Sequence, residues 1–127
     1  MTLGFIIIFS GFGLIFGSFF NVVIYRLPRA LDHNLSGNFP KKSLLTYLSY
    51  PGSHCPSCKH SISWFDNIPV LSWLFLLGRC RFCRTSISPI YVIVEVITML
   101  FFTYSYWQYG FTAETFVWIT FFSIMIL

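Results

Sequence analysis

The chain has 127 residues, which is enough for one ordinary domain, but its composition argues against a water-soluble one. Apolar residues make up 56% of it and charged residues only 9%, whereas soluble domains carry about 25% charged residues. The net charge of +4 is confined to one stretch, because every Lys and Arg lies between Arg26 and Arg84.

The first element is an uncharged apolar run, Leu3–Tyr25, which predicts a transmembrane helix over residues 1–25. As a helix the run would be roughly 34 Å long at about 1.5 Å per residue, more than the roughly 30 Å hydrocarbon core. The alternative is a signal peptide, which needs a basic start, a shorter apolar core and a small-residue cleavage site. The sequence has none of these features.

Two features of this run could mediate helix contacts. Gly13 and Gly17 have GxxxG spacing, which lets two helix backbones approach closely, although glycine is simply common in membrane helices. Asn21 is an intramembrane polar candidate near the inner end of the run. It either pairs with another helix or lies in the headgroup region.

Residues 26–88 form the basic, proline-containing segment, and we expect a small irregular loop domain there. Within it, the apolar stretch Ile68–Leu77 is too short to cross a bilayer. We therefore expect it to be either an interfacial segment or the core of the loop domain.

A second transmembrane helix is predicted over residues 89–108, because Pro89 suits the first turn of a helix and aromatic residues crowd the far end, as in an interfacial belt. Gly110 then interrupts the run. A third apolar segment at 113–127 would span only about 22 Å, less than the core. We expect an incomplete third helix of a longer protein.

The basic loop sets the expected orientation. Cytoplasmic loops of membrane proteins are enriched in Lys and Arg, so the loop should be cytoplasmic and the N-terminus outside. A basic patch can also indicate nucleic-acid binding, but beside membrane spans it is typical of contact with anionic lipid. The sequence thus predicts a multi-pass α-helical integral membrane protein in the lipid bilayer, with two complete transmembrane helices, the start of a third, and no nucleic-acid partner.

Four cysteines carry the most specific chemistry, in two CxxC pairs formed by Cys55, Cys58, Cys80 and Cys83. Two CxxC turns facing each other supply the tetrahedral sulfur ligands that zinc favours. The segment between the pairs is slightly longer than the roughly 15–20 residues typical of such sites. Because four protein ligands leave no open position, the predicted zinc is structural, and it would fold a loop with little core of its own.

Other interpretations of the cysteines remain open. Two disulfides would require an oxidising compartment, and redox catalysis through one CxxC usually requires a βαβ context. His54 and His60 flank the first pair, so either could replace a cysteine as a ligand.

Glu95 lies about one and a half turns into the second predicted span, with Tyr91 one turn earlier on the same face. An intramembrane carboxylate is costly and is a functional-site candidate. The alternative is a protonated or paired Glu that fixes a helix contact, with Asn21 or Arg26 as partner. The remaining acids form no acid–base pair that resembles a catalytic site; they are Asp32, Asp66 and Glu114.

Further motifs accompany the cysteines. They are the run Gly17–Pro28 (GSFFNVVIYRLP), Asn67-Ile68-Pro69, Ser72, Gly78, Ile87, Tyr91 and Glu95. Together with the two CxxC pairs, they resemble the bacterial type IV prepilin leader peptidases and N-methyltransferases. The resemblance covers nearly the whole chain and is weakest in Leu31–Tyr50.

The resemblance implies a multi-pass inner-membrane aspartic protease. Such enzymes cut the leader from type IV prepilins and type II secretion pseudopilins, and then methylate the new N-terminus with S-adenosylmethionine. Their two catalytic aspartates lie at the cytoplasmic ends of later spans, and neither Asp32 nor Asp66 matches those positions. We therefore assign no catalytic residue in this chain and expect the catalytic spans as a partner region.

Two other functions stay open from the sequence. The chain could be a non-catalytic zinc-loop module that binds a partner membrane protein or a pilin-like helix. It could also be a membrane thiol oxidoreductase, which predicts a reducible disulfide in place of bound zinc.

Overall fold

A computed structural model of the chain describes residues 2–35 and 52–127. The protein is mostly helical: within these ranges the α-helices are α1 (Thr2–Leu35), α2 (Leu71–Phe75), α3 (Ile90–Tyr109) and α4 (Ala113–Ile126), and a 3₁₀ helix covers Trp64–Asn67. The loop domain predicted at 26–88 is described at its helical start and from residue 52 onward. Its residues 36–51 lie outside the described residues.

Two helices are long and apolar enough to cross a membrane, Leu3–Leu31 within α1 and Ile90–Tyr109. Only 22% and 28% of their apolar windows are buried, whereas a core helix of a soluble protein is mostly buried. Their outer surfaces carry large apolar side chains such as Leu3, Ile7, Ile15, Ile93 and Leu100, all at least half exposed. Such apolar outer surfaces are compatible with a lipid environment.

Helix α1 is longer than the predicted transmembrane segment at 1–25, since it continues to Leu35 with Pro28 inside it. The apolar run ends at Tyr25, but a helix does not need apolar residues to continue. Arg29 supports this part, because its guanidinium donates to the Tyr25 carbonyl at 3.0 Å and lies 3.5 Å from the centre of the Tyr25 ring. Where the membrane ends along α1 stays a prediction.

Helices α1 and α3 pack as an antiparallel pair through small residues. A Cβ atom on Gly17 would lie 2.6 Å from the Cα of Glu95, and one on Gly13 would lie 2.5 Å from the Cα of Met99. Only glycine permits such close backbone approach. The helix contact expected from the GxxxG spacing is therefore confirmed.

Helix α4 turns back along α3 after a short connection. Gly110 adopts a φ of +64°, a conformation that favours glycine, and so ends α3. The Phe101 and Phe122 rings then stack with centroids 4.1 Å apart. At 14 residues, α4 closely matches the third apolar segment predicted at 113–127.

Residues 52–88, which we call the four-cysteine domain, contain the two CxxC turns with the 3₁₀ helix and α2 between them. Trp73 on α2 fixes the second turn, because its indole N–H donates to the Ile87 carbonyl at 3.2 Å. Its ring lies so close to Gly78 that an added Cβ would be 2.7 Å away. Gly78 also has a φ of +66°. A side chain there is therefore disfavoured both by contact with Trp73 and by the backbone conformation.

Candidate metal centre

Each CxxC pair is folded into a tight turn by its own backbone. In the first turn, Lys59 N–H donates to the Cys55 carbonyl at 2.9 Å, and Cys55 N–H donates to the His60 carbonyl at 2.9 Å. In the second, Arg84 N–H donates to the Cys80 carbonyl at 3.1 Å. These bonds direct the two sulfurs of each turn to the same side, as a shared ion requires.

The two turns are copies of one structure. Each closes with an antiparallel bridge, His54 to Ser61 in the first and Arg79 to Ser86 in the second. The fifth residue of each turn, counted from its first cysteine, has positive φ, 60° at Lys59 and 59° at Arg84. The sequence also shows this duplication, since the pattern Cys-x-x-Cys-basic-x-Ser-Ile-Ser occurs twice. Our sequence reasoning used the two CxxC pairs and missed the longer repeat.

The duplicated turns bring all four predicted ligands together. Their sulfur atoms lie within 4.8 Å of one another, and those of Cys55 and Cys83 are 3.7 Å apart. For zinc–sulfur bonds of about 2.3 Å, the corners of a tetrahedron are about 3.8 Å apart. The four sulfurs are therefore close enough together to hold a metal ion of that size.

The cluster contains cysteines alone. Among the described residues, neither His54 nor His60 belongs to it. The His54 ring nitrogen Nδ1 lies 3.0 Å from the Gly52 carbonyl oxygen, and the His60 ring lies against Phe82 with centroids 3.6 Å apart. Replacement of a cysteine by a histidine ligand, left open by the sequence, thus finds no support in the geometry.

The thiols differ in acidity because they have different hydrogen-bond partners and different contacts with the neighbouring sulfurs. The Thr85 hydroxyl is 3.3 Å from the Cys83 sulfur, and together with the Thr85 backbone N–H it lowers the pKa of Cys83 to about 6. The His60 backbone N–H lowers the pKa of Cys58, but desolvation and contacts with the other sulfurs outweigh it and raise this pKa to about 11. A divalent cation would favour the thiolate form of all four.

An ion pair connects the 3₁₀ helix to the second turn. Arg81 donates to both carboxylate oxygens of Asp66, with distances of 2.8 Å and 2.5 Å. This contact lowers the pKa of Asp66 and raises that of Arg81. Asp66 therefore has a structural partner in Arg81.

The two intramembrane polar candidates have different partners. Asn21 lies on α1 and donates from Nδ2 to the Tyr91 carbonyl of α3 at 2.9 Å, so it pairs the two helices. The Glu95 side chain is 7% exposed, and its Oε2 accepts the backbone N–H of Val70 at 2.8 Å. Ser18 supplies a further hydrogen bond. The sequence did not single out Val70, because nothing in the chain marks a backbone N–H as a partner.

Val70 has an unusual backbone. Its φ is 59° and its ψ is −50°, and Leu71 N–H donates to the Pro69 carbonyl at 2.6 Å. This is a γ-turn of the rare positive-φ kind, and positive φ is exceptional for a β-branched residue. Glu95 therefore fixes a strained turn, and through it joins the four-cysteine domain to α3.

A cavity of about 640 Å³ lies where α1, the start of α3 and the four-cysteine domain meet. Its lining includes Asn21 and Glu95, and also the buried cysteines Cys55 and Cys80. The intramembrane polar candidates and the metal centre thus border one shared space.

Residues 12–109 match the family model described as the bacterial peptidase A24 N-terminal domain. The chain is 48% identical over 93 residues to the "type 4 prepilin-like proteins leader peptide-processing enzyme" of Escherichia coli O78:H11, covering 71% of this chain and 35% of that protein. No solved structure matches it.

Two further relatives are each named "prepilin leader peptidase/N-methyltransferase". The one from Pseudomonas aeruginosa is 41% identical over 108 residues, which is 79% of this chain and 37% of the relative. The one from Vibrio cholerae is 43% identical over 103 residues, which is 81% of this chain and 38% of the relative. The chain thus spans little more than a third of these relatives.

Proposed function

This chain belongs to the bacterial A24 peptidase family through that family's N-terminal domain, and we propose that it is the N-terminal, zinc-binding membrane portion of a prepilin peptidase. The enzyme would cleave the leader of type IV prepilins or pseudopilins and N-methylate the new N-terminus. The names of the relatives support both activities. The proposed location is the bacterial inner membrane.

Zinc is the proposed metal, bound by Cys55, Cys58, Cys80 and Cys83. The sulfur-only donor set and the separations within 4.8 Å support it, because zinc favours tetrahedral thiolate sites. Zinc with four thiolates carries a formal charge of −2, which nearby basic residues offset; these are Lys59, Arg79, Arg81 and Arg84. With four protein ligands the metal would be structural.

The proposed topology places the N-terminus outside and the four-cysteine domain in the cytoplasm. The charge distribution supports it, since every Lys and Arg falls within the segment from Arg26 to Arg84. Helix α3 then runs outward and α4 returns. The reducing cytoplasm would keep the thiols available for metal.

The chemical steps are proposed to use residues beyond those assigned here. By family resemblance, the two catalytic aspartates would belong to later spans, and S-adenosylmethionine would supply the methyl group. Asp66 is engaged by Arg81, which supports leaving it out of catalysis. The proposed role of this portion is to hold the cytoplasmic ends of α1 and α3 in place with a rigid metal-bound domain.

The cluster of four sulfurs on two duplicated turns is the observation that carries this proposal. Metal analysis of the purified chain tests it directly: we expect one zinc ion per chain, lost in Cys58→Ser and retained in Ser57→Ala, a matched neighbour in the same turn. A reducible disulfide and no zinc would instead favour the thiol oxidoreductase.

Activity is tested with the complete gene product, coexpressed with a prepilin in a host that lacks its own peptidase. Leader removal is followed by electrophoresis and N-methylation by mass spectrometry. We expect both with the unmodified protein and with Ser57→Ala, and a severe loss with Cys58→Ser. Binding of the prepilin without cleavage or methylation would favour the non-catalytic module.

A further inference from the structure

Helix α2 has two unlike faces. Ser72, Trp73 and Leu76 point inward: the Ser72 hydroxyl donates to the Ile68 carbonyl, and the Trp73 indole holds the second turn. The opposite face is entirely apolar and exposed. It comprises Leu71 at 51%, Leu74 at 53% and Phe75 at 83%, with Leu77 just beyond at 81%.

Such a face is unfavourable in water. Burial of one Leu or Phe side chain is worth about 1.5–3 kcal/mol, and these four residues, which are 51% to 83% exposed, forgo half or more of that free energy in water. Contiguous exposed apolar patches mark binding or membrane surfaces. The spacing of 71, 74 and 75 puts these side chains on one side of the helix, as an interfacial helix requires.

The hydrogen bond between Val70 and Glu95 indicates how deep in the bilayer this face of α2 would lie. Helix α3 has 20 residues, or about 30 Å at about 1.5 Å per residue, which equals the hydrocarbon core. Glu95 lies five residues after Ile90 and therefore about 8 Å from the start of the helix. Val70 is hydrogen-bonded to the carboxylate of Glu95, so α2 begins within about one side-chain length of that depth. Interfacial helices bury their apolar face about 5–10 Å deep.

The charges around α2 suit a bilayer surface as well. Lys59, Arg79 and Arg84 are exposed, and Arg79 follows Leu77 by two residues. The one acid of the four-cysteine domain, Asp66, is paired with Arg81. Counted together with the −2 of the proposed zinc-loaded cluster, the four basic residues and Asp66 leave the domain a net charge of about +1. The exposed basic side chains near α2 complement anionic lipid headgroups.

We propose that the outer face of α2, formed by Leu71, Leu74, Phe75 and Leu77, is embedded in the lipid leaflet from which the four-cysteine domain emerges. The domain is then a membrane-inserted element and not a freely solvated loop. This proposal requires a membrane protein but no particular enzymatic activity, so it stands or falls independently of prepilin processing.

A photoreactive amino acid, p-benzoylphenylalanine, tests the proposal at position 75 in place of Phe75. The complete protein is reconstituted in vesicles of phosphatidylethanolamine and phosphatidylglycerol, irradiated and analysed by mass spectrometry. Position 93 is the lipid-facing control, because Ile93 is exposed on the span α3. Position 57 is the water-facing control, because Ser57 is exposed in a CxxC turn. Unchanged metal content shows that each variant is folded.

We expect phospholipid adducts at position 75 in a yield comparable to that at position 93, and none at position 57. Adducts to a second copy of the protein, or to a later segment of the same chain, would show that protein covers the face and would overturn the proposal. Absence of any adduct at 75, with adducts present at 93, would place the face in water and would overturn it equally.

Discussion

Removal of the Glu95 carboxylate should release the four-cysteine domain from the helix pair while leaving its metal centre intact. In Glu95→Leu the Val70 N–H loses its acceptor at 2.8 Å. A partly buried N–H left without a partner costs about 1–3 kcal/mol. The strained backbone of Val70 (φ 59°) would then relax, because strain of this kind persists only where its surroundings hold it.

This free energy corresponds to a change of about 5- to 150-fold in the docking equilibrium, at about 1.4 kcal/mol per factor of ten. Hydrogen–deuterium exchange of the peptide containing Val70–Phe75 measures it in a lipid nanodisc. We expect faster exchange by that factor in Glu95→Leu. The CxxC turns are closed by their own backbone bonds, so metal content should not change.

Two variants make the result specific. Glu95→Gln keeps a carbonyl oxygen as acceptor and should restore most of the protection. Glu114→Leu removes an exposed carboxylate at the start of α4 and should have no effect. Exchange in Glu95→Leu at the same rate as in the unmodified protein would refute the reasoning, and so would a loss of metal equal to that of a cysteine variant.

The remaining predictions concern packing and the ion pair. Gly17→Leu should weaken the α1–α3 contact by about 1–3 kcal/mol, as overpacking does. Gly11→Leu is the control, because its side chain enters open space and should leave stability unchanged. Thermal unfolding in detergent compares the two variants, and equal melting temperatures would contradict the close packing at Gly17. Gly78→Ala should destabilise the metal-bound domain by at least about 1–2 kcal/mol, the cost of positive φ alone, measured by chelator-induced unfolding, where an unchanged midpoint would count against it. Asp66→Asn should lower the free energy of unfolding at neutral pH. Because Arg81 lowers the pKa of Asp66, the ion pair stabilises the folded state above about pH 4. This stabilisation is lost as the pH falls through the pKa of Asp66 in the folded state. The difference from the unmodified protein should therefore vanish in acid, and a difference that persists there would exclude the ion pair as its cause.

The sequence was sufficient to locate the main helices and the cysteine cluster. The length of each apolar run and the break at Gly110 follow from local composition, and the CxxC spacing follows from the chemistry of a single turn. These features can be predicted without knowing which parts of the chain pack together. The end of α1 was harder to place, because the boundary was read from the apolar run and the helix continues through Arg26 to Leu35.

The backbone partner of Glu95 could not be predicted, for a physical reason. We considered side chains, Asn21 and Arg26, because only side chains differ along a sequence. The structure brings the backbone N–H of Val70 to the carboxylate in a γ-turn that no residue type demands. The pairing of Asn21 with α3, by contrast, was one of two outcomes that the sequence left open.

The duplicated CxxC turns also constrain how the protein is made. Each turn supplies two of the four sulfurs, so the ligand set is incomplete until the ribosome has passed Cys83. Helix α3 covers Ile90–Tyr109, so at about 5–20 residues per second its synthesis is complete within about one to five seconds after Cys83. Closure of the metal site and entry of α3 into the bilayer therefore compete in time during biosynthesis. With zinc as the proposed metal and α3 as a proposed span, a cell short of zinc would deliver α3 to the membrane behind an open, thiol-bearing loop.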